Sequence, residues 1–203
     1  MKRIICTFLL SAALCTASFA QRFQVGIRAG ANVADYALPI LSTDEGSLRN
    51  GKNKMGFEAS LLARLSITKH LNLQTEFEYD RLHYGFTFVQ DSYAKELKFN
   101  VNRIEIPLLL GIHLGPLRLF GGASFRISHN EKSSMPSLMQ LKFNDSKVAL
   151  TGGVGINIRK FFLEGRVTGY PKASSAVVKL QDTERSVIPR RDIKWSFSAG
   201  FLF

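Results

Sequence analysis

The sequence predicts an all-β fold, an eight-stranded antiparallel up-and-down transmembrane β-barrel. Eight stretches alternate apolar and polar residues, as the two faces of a β-strand require. The connections between them alternate between a few residues and long polar segments. The last stretch, Ile193–Phe203, alternates along its whole length and ends on an aromatic residue. Since a strand needs roughly 9–11 residues to cross a bilayer, this stretch is long enough to do so.

The first three stretches predict strands with one apolar and one polar face. Phe23–Val33 alternates apolar residues with Gln, Gly, Arg and Asn, and Met55–Ile67 sets Phe, Ala and Leu against Glu, Ser and Arg. The third begins at Leu71, and its polar face carries Asn72, Gln74, Glu76, Glu78 and Asp80. A row of acids and amides on one face predicts a polar barrel lumen.

The fourth stretch, from Leu97 to Ile112, changes phase. Apolar residues take the odd positions over Leu97–Val101, including Phe99, and the even positions over Ile104–Ile112. This shift of one residue predicts a β-bulge near Asn102–Arg103. Pro107 cannot donate a ladder hydrogen bond, so we expect it at a bulge or an unpaired position.

The remaining strands are predicted over Leu117–Ile127, Val148–Ile158, Phe161–Tyr170 and Ile193–Phe203. The terminal strand carries apolar residues at every odd position and closes on Phe203. That ending resembles the signal by which outer-membrane barrels are handed to their insertion machinery, which we therefore expect as a partner. The eight strands define one domain, residues 21–203, of an outer-membrane protein.

The connections support the same topology. The short ones are Thr68–His70, Gly115–Pro116 and Arg159–Lys160, and the long ones are Ala34–Lys54, Val89–Lys95, His129–Lys147 and Pro171–Asp192. Short turns at one end and long loops at the other are typical of the periplasmic and extracellular ends of an outer-membrane barrel. The alternative is a periplasmic lipocalin-like barrel, which is soluble and has an apolar interior.

Residues 1–20 are typical of a signal peptide. Lys2 and Arg3 precede the apolar run Ile4–Leu14, and Ser18-Phe19-Ala20 forms a small-x-small cleavage site. Both cysteines of the chain, Cys6 and Cys15, lie in this segment. The mature chain is therefore expected to have no disulfide and no cysteine-based metal site.

The chain is basic, with a formal net charge of +11. No compact basic motif with interleaved aromatic residues accompanies this charge, so nucleic acid is not expected as a partner. The basic residues instead lie in candidate loops, where an anionic lipopolysaccharide surface would attract them: Arg49, Lys52, Lys54, Lys142, Lys147, Arg185, Arg190 and Arg191.

Four segments resemble a known family: FQVGIRAGAN at 23–32, VNRIEIPLLLGIHLG at 101–115, VALTGGVGINI at 148–158 and FFLEGRVTGY at 161–170. They are similar to the outer-membrane β-barrel domain common in Bacteroidetes, which includes PorT-like proteins and has an OmpA-like eight-stranded architecture. The resemblance implies a barrel over the whole mature chain. PorT is an accessory of the type IX secretion system, so a secretion partner is one implied role.

Eleven charged residues fall on the inward-facing side of the predicted strands. They are Arg28, Glu58, Arg64, Glu76, Glu78, Arg103, Glu105, Arg118, Arg126, Glu164 and Arg166. An eight-stranded barrel is only wide enough for side chains to fill, and buried charges need partners. The cluster predicts either a salt-bridged plug or the lining of a narrow pore.

No catalytic, cofactor or metal site is predicted. Ser128, His129 and Glu131 are the only compact candidate for a triad, but neighbouring residues of a strand face opposite sides. The four histidines are scattered and do not define a metal site. We therefore expect a non-enzymatic barrel with a structural or binding role, and an accessory of secretion or a narrow pore as alternatives.

The long loops are the candidate binding surface. They mix charges with apolar residues, and an adaptable patch that contains methionine suits a partner or ligand. The apolar residues are Tyr36, Leu38, Pro39, Ile40, Leu41, Met135, Pro136, Leu138, Met139 and Leu141.

Overall fold

The computed structural model describes residues 23–37, 41–43, 46–51, 54–90, 93–133, 139–144, 147–170, 175–180, 183–187 and 191–203. The predicted signal peptide and most of the apolar loop residues named above lie outside this part of the chain. Within it, no helix has the length and apolar character needed to cross a membrane.

The described residues form thirteen strands, eight of which build the barrel. Those eight are β1 (Phe23–Ala37), β4 (Lys54–Ser66), β5 (Leu71–Gln90), β6 (Tyr93–Leu114), β7 (Leu117–Ser133), β9 (Val148–Ile158), β10 (Phe161–Gly169) and β13 (Arg191–Leu202). The five short strands are β2 (Leu41–Thr43), β3 (Gly46–Asn50), β8 (Met139–Asn144), β11 (Ser175–Leu180) and β12 (Thr183–Val187).

The barrel strands pair antiparallel in the order β1-β4-β5-β6-β7-β9-β10-β13. The ring closes between β13 and β1, whose register runs from Gly26↔Leu202 to Ala37↔Arg191. A closed ring leaves no unpaired strand edge in the lipid, where a free backbone group would be costly. The predicted closed, eight-stranded antiparallel barrel is confirmed.

The two faces of the barrel wall have opposite chemistry. On β13, Trp195 and Phe197 are exposed while Lys194, Ser196 and Ser198 are buried. The same alternation runs along β1, β4, β9 and β10, with apolar side chains outside. A soluble lipocalin-like barrel would have the opposite arrangement, so the burial pattern favours the membrane barrel.

The predicted phase change in β6 is wrong. Every odd residue from Phe99 to Gly111 is buried, so the alternation continues without a break and Phe99 and Val101 face inward. They meet an apolar inner surface on β5, made of Leu82, Tyr84 and Phe86. These parts of the strands lie beyond the length that a bilayer needs, so apolar side chains there pack inside the barrel and not against lipid.

The irregularity expected near Asn102–Arg103 lies elsewhere. The register of β6 with β7 shifts between Ile104, which pairs with Ser128, and Glu105, which pairs with Arg126. The extra residue is Ile127, on the neighbouring strand. The pairs of β5 with β6 are interrupted between Thr75↔Leu108 and Glu78↔Glu105, which is where Pro107 lies.

All four segments predicted as long loops contain strand residues. β5 and β6 run on as a hairpin to the pair Gln90↔Tyr93, and β2 and β3 form a second hairpin that pairs with the upper part of β5. Strands β8, β11 and β12 form a separate sheet. Alternation of lipid-facing residues could not reveal these strands, because outside the membrane neither face needs to be apolar.

The other end of the barrel has tight turns. Gly115 has a φ of 64°, and Arg159 has a φ of 58°, the left-handed conformation that closes a short connection. The backbone N–H of Phe203 donates to the carbonyl of Val25 at 2.9 Å, so the start of β1 and the end of β13 lie at this same end. By the pattern of outer-membrane barrels this is the periplasmic end.

Candidate functional site

All eleven charged residues predicted to face inward lie inside the barrel. Ten are buried as whole residues, and the eleventh, Arg126, has a side chain that is 5% exposed. They divide into a lower cluster, nearer the periplasmic end, and an upper cluster. The lower cluster is Arg28, Glu58, Arg64, Glu76, Glu78, Arg118, Glu164 and Arg166, and the upper cluster is Arg103, Glu105 and Arg126.

Arg28 on β1 is the centre of the lower cluster. Its guanidinium donates to Glu58 on β4, to Glu76 on β5 at 3.1 Å and to Glu78 on β5 at 2.5 Å. It also donates to the hydroxyl of Ser198 on β13 at 3.0 Å. One planar cation with five N–H donors can satisfy several carboxylates at once, which a lysine in this place could not do in the same geometry.

Three further arginines extend the lower cluster across the lumen. Arg166 on β10 contacts Glu76 at 2.5 Å and Glu164 at 2.6 Å, and Arg118 on β7 contacts Glu164 at 2.7 Å. Arg64 on β4 donates to Gln74 at 2.7 Å and lies 3.5 Å from Glu164. Glu76 therefore joins two cations and Glu164 joins three, and the ion pairs form one connected network.

Two members of the network, Lys194 and Asp80, were not among the eleven charged residues predicted for the cluster, although Asp80 was predicted on the lumen face of its strand. The ammonium of Lys194 lies 2.6 Å from Asp80, 2.7 Å from Glu78 and 3.9 Å from Glu58. Both residues stood on the inward parity of their strands, so the alternation could have identified them. With them, the charged cluster of the described chain numbers seven cations, one of which is Arg126, and six anions. Such a near balance of charge is what a lumen without bulk water requires.

Glu58, Glu78 and Asp80 also have the geometry of a candidate metal site. One oxygen from each lies within 4.8 Å of the others, and all three residues are buried. Lys194 lies within 3.9 Å of each carboxylate, so its ammonium already supplies the positive charge that these oxygens need. The three carboxylates and Lys194 form an ion-pair cluster, in which the lysine ammonium replaces a metal cation.

The upper cluster combines ion pairs with tyrosines. Glu105 accepts from the Ser124 hydroxyl at 2.9 Å and from the Tyr170 hydroxyl at 2.7 Å, and it pairs with Arg126 at 3.4 Å. The Arg126 guanidinium lies 4.5 Å from the centroid of the Tyr170 ring. Arg103 donates to the Tyr84 hydroxyl at 3.0 Å, which joins the cluster to the apolar surface above it.

Aromatic rings support the arginines of the lower cluster. Phe120 lies under Arg118 at 4.7 Å and under Arg166 at 5.2 Å, measured to the ring centroid. Phe162 lies 5.2 Å from Arg64 and fills the space that a side chain at Gly200 would need. The rings hold the guanidinium groups by cation–π contact and exclude water from this end of the lumen.

The residues of the candidate triad do not converge. Ser128 is exposed, whereas His129 turns inward and pairs across the sheet with Arg103. The side chain of Glu131 lies outside the described part of the structure. Of the other histidines, His113 lies 3.1 Å from the Asn72 amide nitrogen and His83 belongs to β5.

The sequence matches a family model described as outer membrane protein beta-barrel domain, over residues 18–168. Comparison with curated proteins gave no match. Among solved structures, OprG from Pseudomonas aeruginosa is similar with a TM-score of 0.59 and 12% identity, over 90% of this chain and 96% of OprG.

Two further solved structures have lower TM-scores. Neisserial surface protein A has a TM-score of 0.47 and 17% identity, over 89% of this chain and 97% of its own. The outer membrane protease OmpT from Escherichia coli has 0.43 and 10%, over 90% and 97%.

Proposed function

The chain belongs to the outer membrane protein beta-barrel domain family, and we propose that it is a closed barrel with a binding role at the cell surface. In this role it neither conducts ions nor catalyses a reaction. The observation that supports closure is the connected network of buried ion pairs in the lower lumen. Above it, the part of the chain that extends beyond the membrane is available for a partner.

The network supports a plug better than a pore. Its members come from β1, β4, β5, β7, β10 and β13 and lie within hydrogen-bonding distance across the lumen. A water-filled pore would leave its charges hydrated and exposed. Here the lower-cluster side chains in ion pairs are at most 4% exposed, so ions would have to displace paired groups in order to pass.

Planar-bilayer recording tests the closure. We expect no steady channel activity from the refolded protein. The double variant Glu76→Gln/Arg166→Gln should show transient openings because it removes one cation and one anion from the network while leaving the net charge of the lumen unchanged. Lys69→Gln, in an exposed turn, is the matched control. A stable single-channel conductance of the unmodified protein would refute the plug and establish the narrow-pore alternative.

The strand lengths support the binding role. β5 has 20 residues and β6 has 22, about twice the roughly 9–11 that span a bilayer. The excess forms a hairpin that the β2–β3 hairpin continues. A paired sheet outside the membrane offers a rigid support for loops that contact another molecule.

Site-specific photo-crosslinking in intact cells tests the binding role. A photoreactive amino acid at the exposed positions Ala94 or Glu96 should give a discrete adduct with an extracellular partner. The same group at Lys69, in a turn of the opposite end, should not give that adduct. A correctly folded barrel without any adduct at either hairpin position would contradict the binding role.

Two finer points of function have separate support. The PorT-like resemblance supports a secretion accessory, and an adduct with a secretion component would favour that alternative. The divergence of Ser128 and His129 supports the absence of catalysis, because a hydroxyl needs its base within hydrogen-bonding reach.

A further inference from the structure

The outer wall of the barrel carries an apolar groove of about 560 Å³. Its floor is a row of three alanines on adjacent strands. Ala29 on β1 pairs with Ala59 on β4 and with Ala199 on β13. Because these three small side chains lie next to one another on the outward face, the barrel wall is recessed here. The larger side chains around them project further into the lipid.

Large apolar side chains form the walls of this groove. They include Phe161, Phe201, Leu61 and Phe77, which together with Ile27 form one row across five strands, next to the alanine row on its periplasmic side. Phe161 and Phe201 meet edge to face, with ring centroids 4.9 Å apart. All of these residues belong to barrel strands and face the hydrocarbon of the outer membrane, so lipid or another protein must fill the groove.

A lysine ammonium lies at the periplasmic end of the groove. The Lys160 ammonium lies 5.8 Å from the centroid of the Phe201 ring. Lys160 lies in the exposed two-residue turn between β9 and β10, next to Phe161 in the wall. The end of a membrane strand is the depth of lipid headgroups, and basic residues there attract anionic ones.

We propose that this groove binds an anionic phospholipid of the periplasmic leaflet. One acyl chain lies along Ala29, Ala59 and Ala199, and the headgroup phosphate contacts Lys160. The volume lies in the range of roughly 300–1,000 Å³ that is usual for ligand pockets. A second copy of this chain fits less well. It would share the same orientation in the membrane and place its own Lys160 at the same depth, with no anion to match.

Native mass spectrometry of the purified full-length protein tests the site. The protein is incubated with equal amounts of phosphatidylglycerol and phosphatidylcholine that have the same acyl chains. We expect one retained lipid per barrel, with phosphatidylglycerol preferred. Lys160→Gln should reduce that preference roughly fivefold, the effect of one surface lysine, while retention of a lipid continues.

Substitutions that fill the groove test the acyl-chain contact separately from the headgroup contact. Ala29→Leu/Ala59→Leu should abolish retention of both lipids. Ala123→Leu, a lipid-facing alanine on β7, and Lys69→Gln are the matched controls and should bind as the unmodified protein does. Folding of each variant is checked by the difference in gel mobility between unheated and boiled samples.

Three outcomes would overturn the proposal. One is equal retention of the two lipids by the unmodified protein. Another is unchanged retention by Ala29→Leu/Ala59→Leu. The third is a lipid-free dimer that these substitutions convert to a monomer, which would assign the groove to a second copy of the chain. The Lys160→Gln experiment remains a valid test even if the barrel does not fold with leucines at Ala29 and Ala59.

Discussion

At the scale of single residues, Arg28 links three strands of the wall across the lumen. It holds carboxylates from two strands and a hydroxyl from a third. A buried ion pair adds little net stability when complete, but removing one partner leaves an uncompensated charge in a medium that solvates it poorly. The network therefore stabilises the fold chiefly because the loss of any one member leaves a buried charge unpaired, which costs free energy.

Arg28→Gln should destabilise the barrel by about 3–5 kcal/mol, because it leaves several buried carboxylates short of one cation. The free energy of unfolding by urea in lipid vesicles measures the effect. Arg81→Gln, at an exposed position of β5, should change it by less than about 0.5 kcal/mol. Equal effects of the two substitutions would mean that the lumen charges do not stabilise the fold.

Gly200→Ala tests how tightly Phe162 packs. The added methyl group would overlap the Phe162 ring, and overpacking of this kind costs about 1–3 kcal/mol. Phe162→Leu in the same chain should recover part of the loss. At Gly165, nothing lies within 4 Å of an added Cβ, so Gly165→Ala is the matched control. If both glycine variants unfold at the same urea concentration, the packing argument fails.

At the scale of elements, the bulge in β7 decides which residues of its upper part face inward. Before Ile127 the even residues Arg118, Phe120 and Ser124 are buried, and after it His129 turns inward. One extra residue reverses the parity of everything beyond it. The bulge thus brings an imidazole, and not the Ser128 hydroxyl, to the side of Arg103.

Deleting Ile127 should remove the bulge and keep that placement, because Arg126 would still pair with Glu105 and Ser128 with Ile104. A cysteine at Ser128 should therefore react equally fast with a water-soluble maleimide before and after the deletion. The labelling rate is the measurement. A cysteine at Glu96, on the hairpin of β5 and β6, should also label equally in both proteins. Slow labelling at position 128 after the deletion would show that Ile127 is not the extra residue that sets the parity.

At the scale of the whole molecule, closure between β1 and β13 makes the chain a membrane protein. Their register runs over twelve residue pairs and joins parts of the sequence about 170 residues apart. Since an open edge in hydrocarbon leaves backbone groups unpaired, the closed ring should resist detergent at room temperature. An unheated sample should then run faster on a gel than a boiled one.

A disulfide across the seam tests closure directly. Val33 and Trp195 are a paired set of outward-facing residues, and directly opposed strand residues have a Cα separation that a disulfide can span. The variant Val33→Cys/Trp195→Cys should form this bond on oxidation and keep a compact form after boiling without reductant. Val33→Cys/Met55→Cys, across β1 and β4, is the positive control. If only the control pair crosslinks, the barrel is open.

Much of the fold followed from local alternation. Periodicity of two identifies a strand and its two faces, and for β9 and β10 the predicted bounds differ from the observed ones by at most one residue. The same rule failed for Phe99 and Val101, because hydropathy indicates the chemistry of a side chain and not its height relative to the membrane. It also failed to locate Ile127, since an outward isoleucine looks like any lipid-facing residue.

The number of barrel strands, the polar lumen and the end of the barrel with short turns can be predicted from the sequence, because each is a repeated local pattern. Which charges meet depends on how the strands close into a ring. Arg166 and Glu76 lie 90 residues apart, and Arg28 and Glu76 lie 48 apart. Closure of the ring brings these distant residues into contact. It also determines the partners of Lys194 and places the three alanines side by side at the floor of the lipid groove.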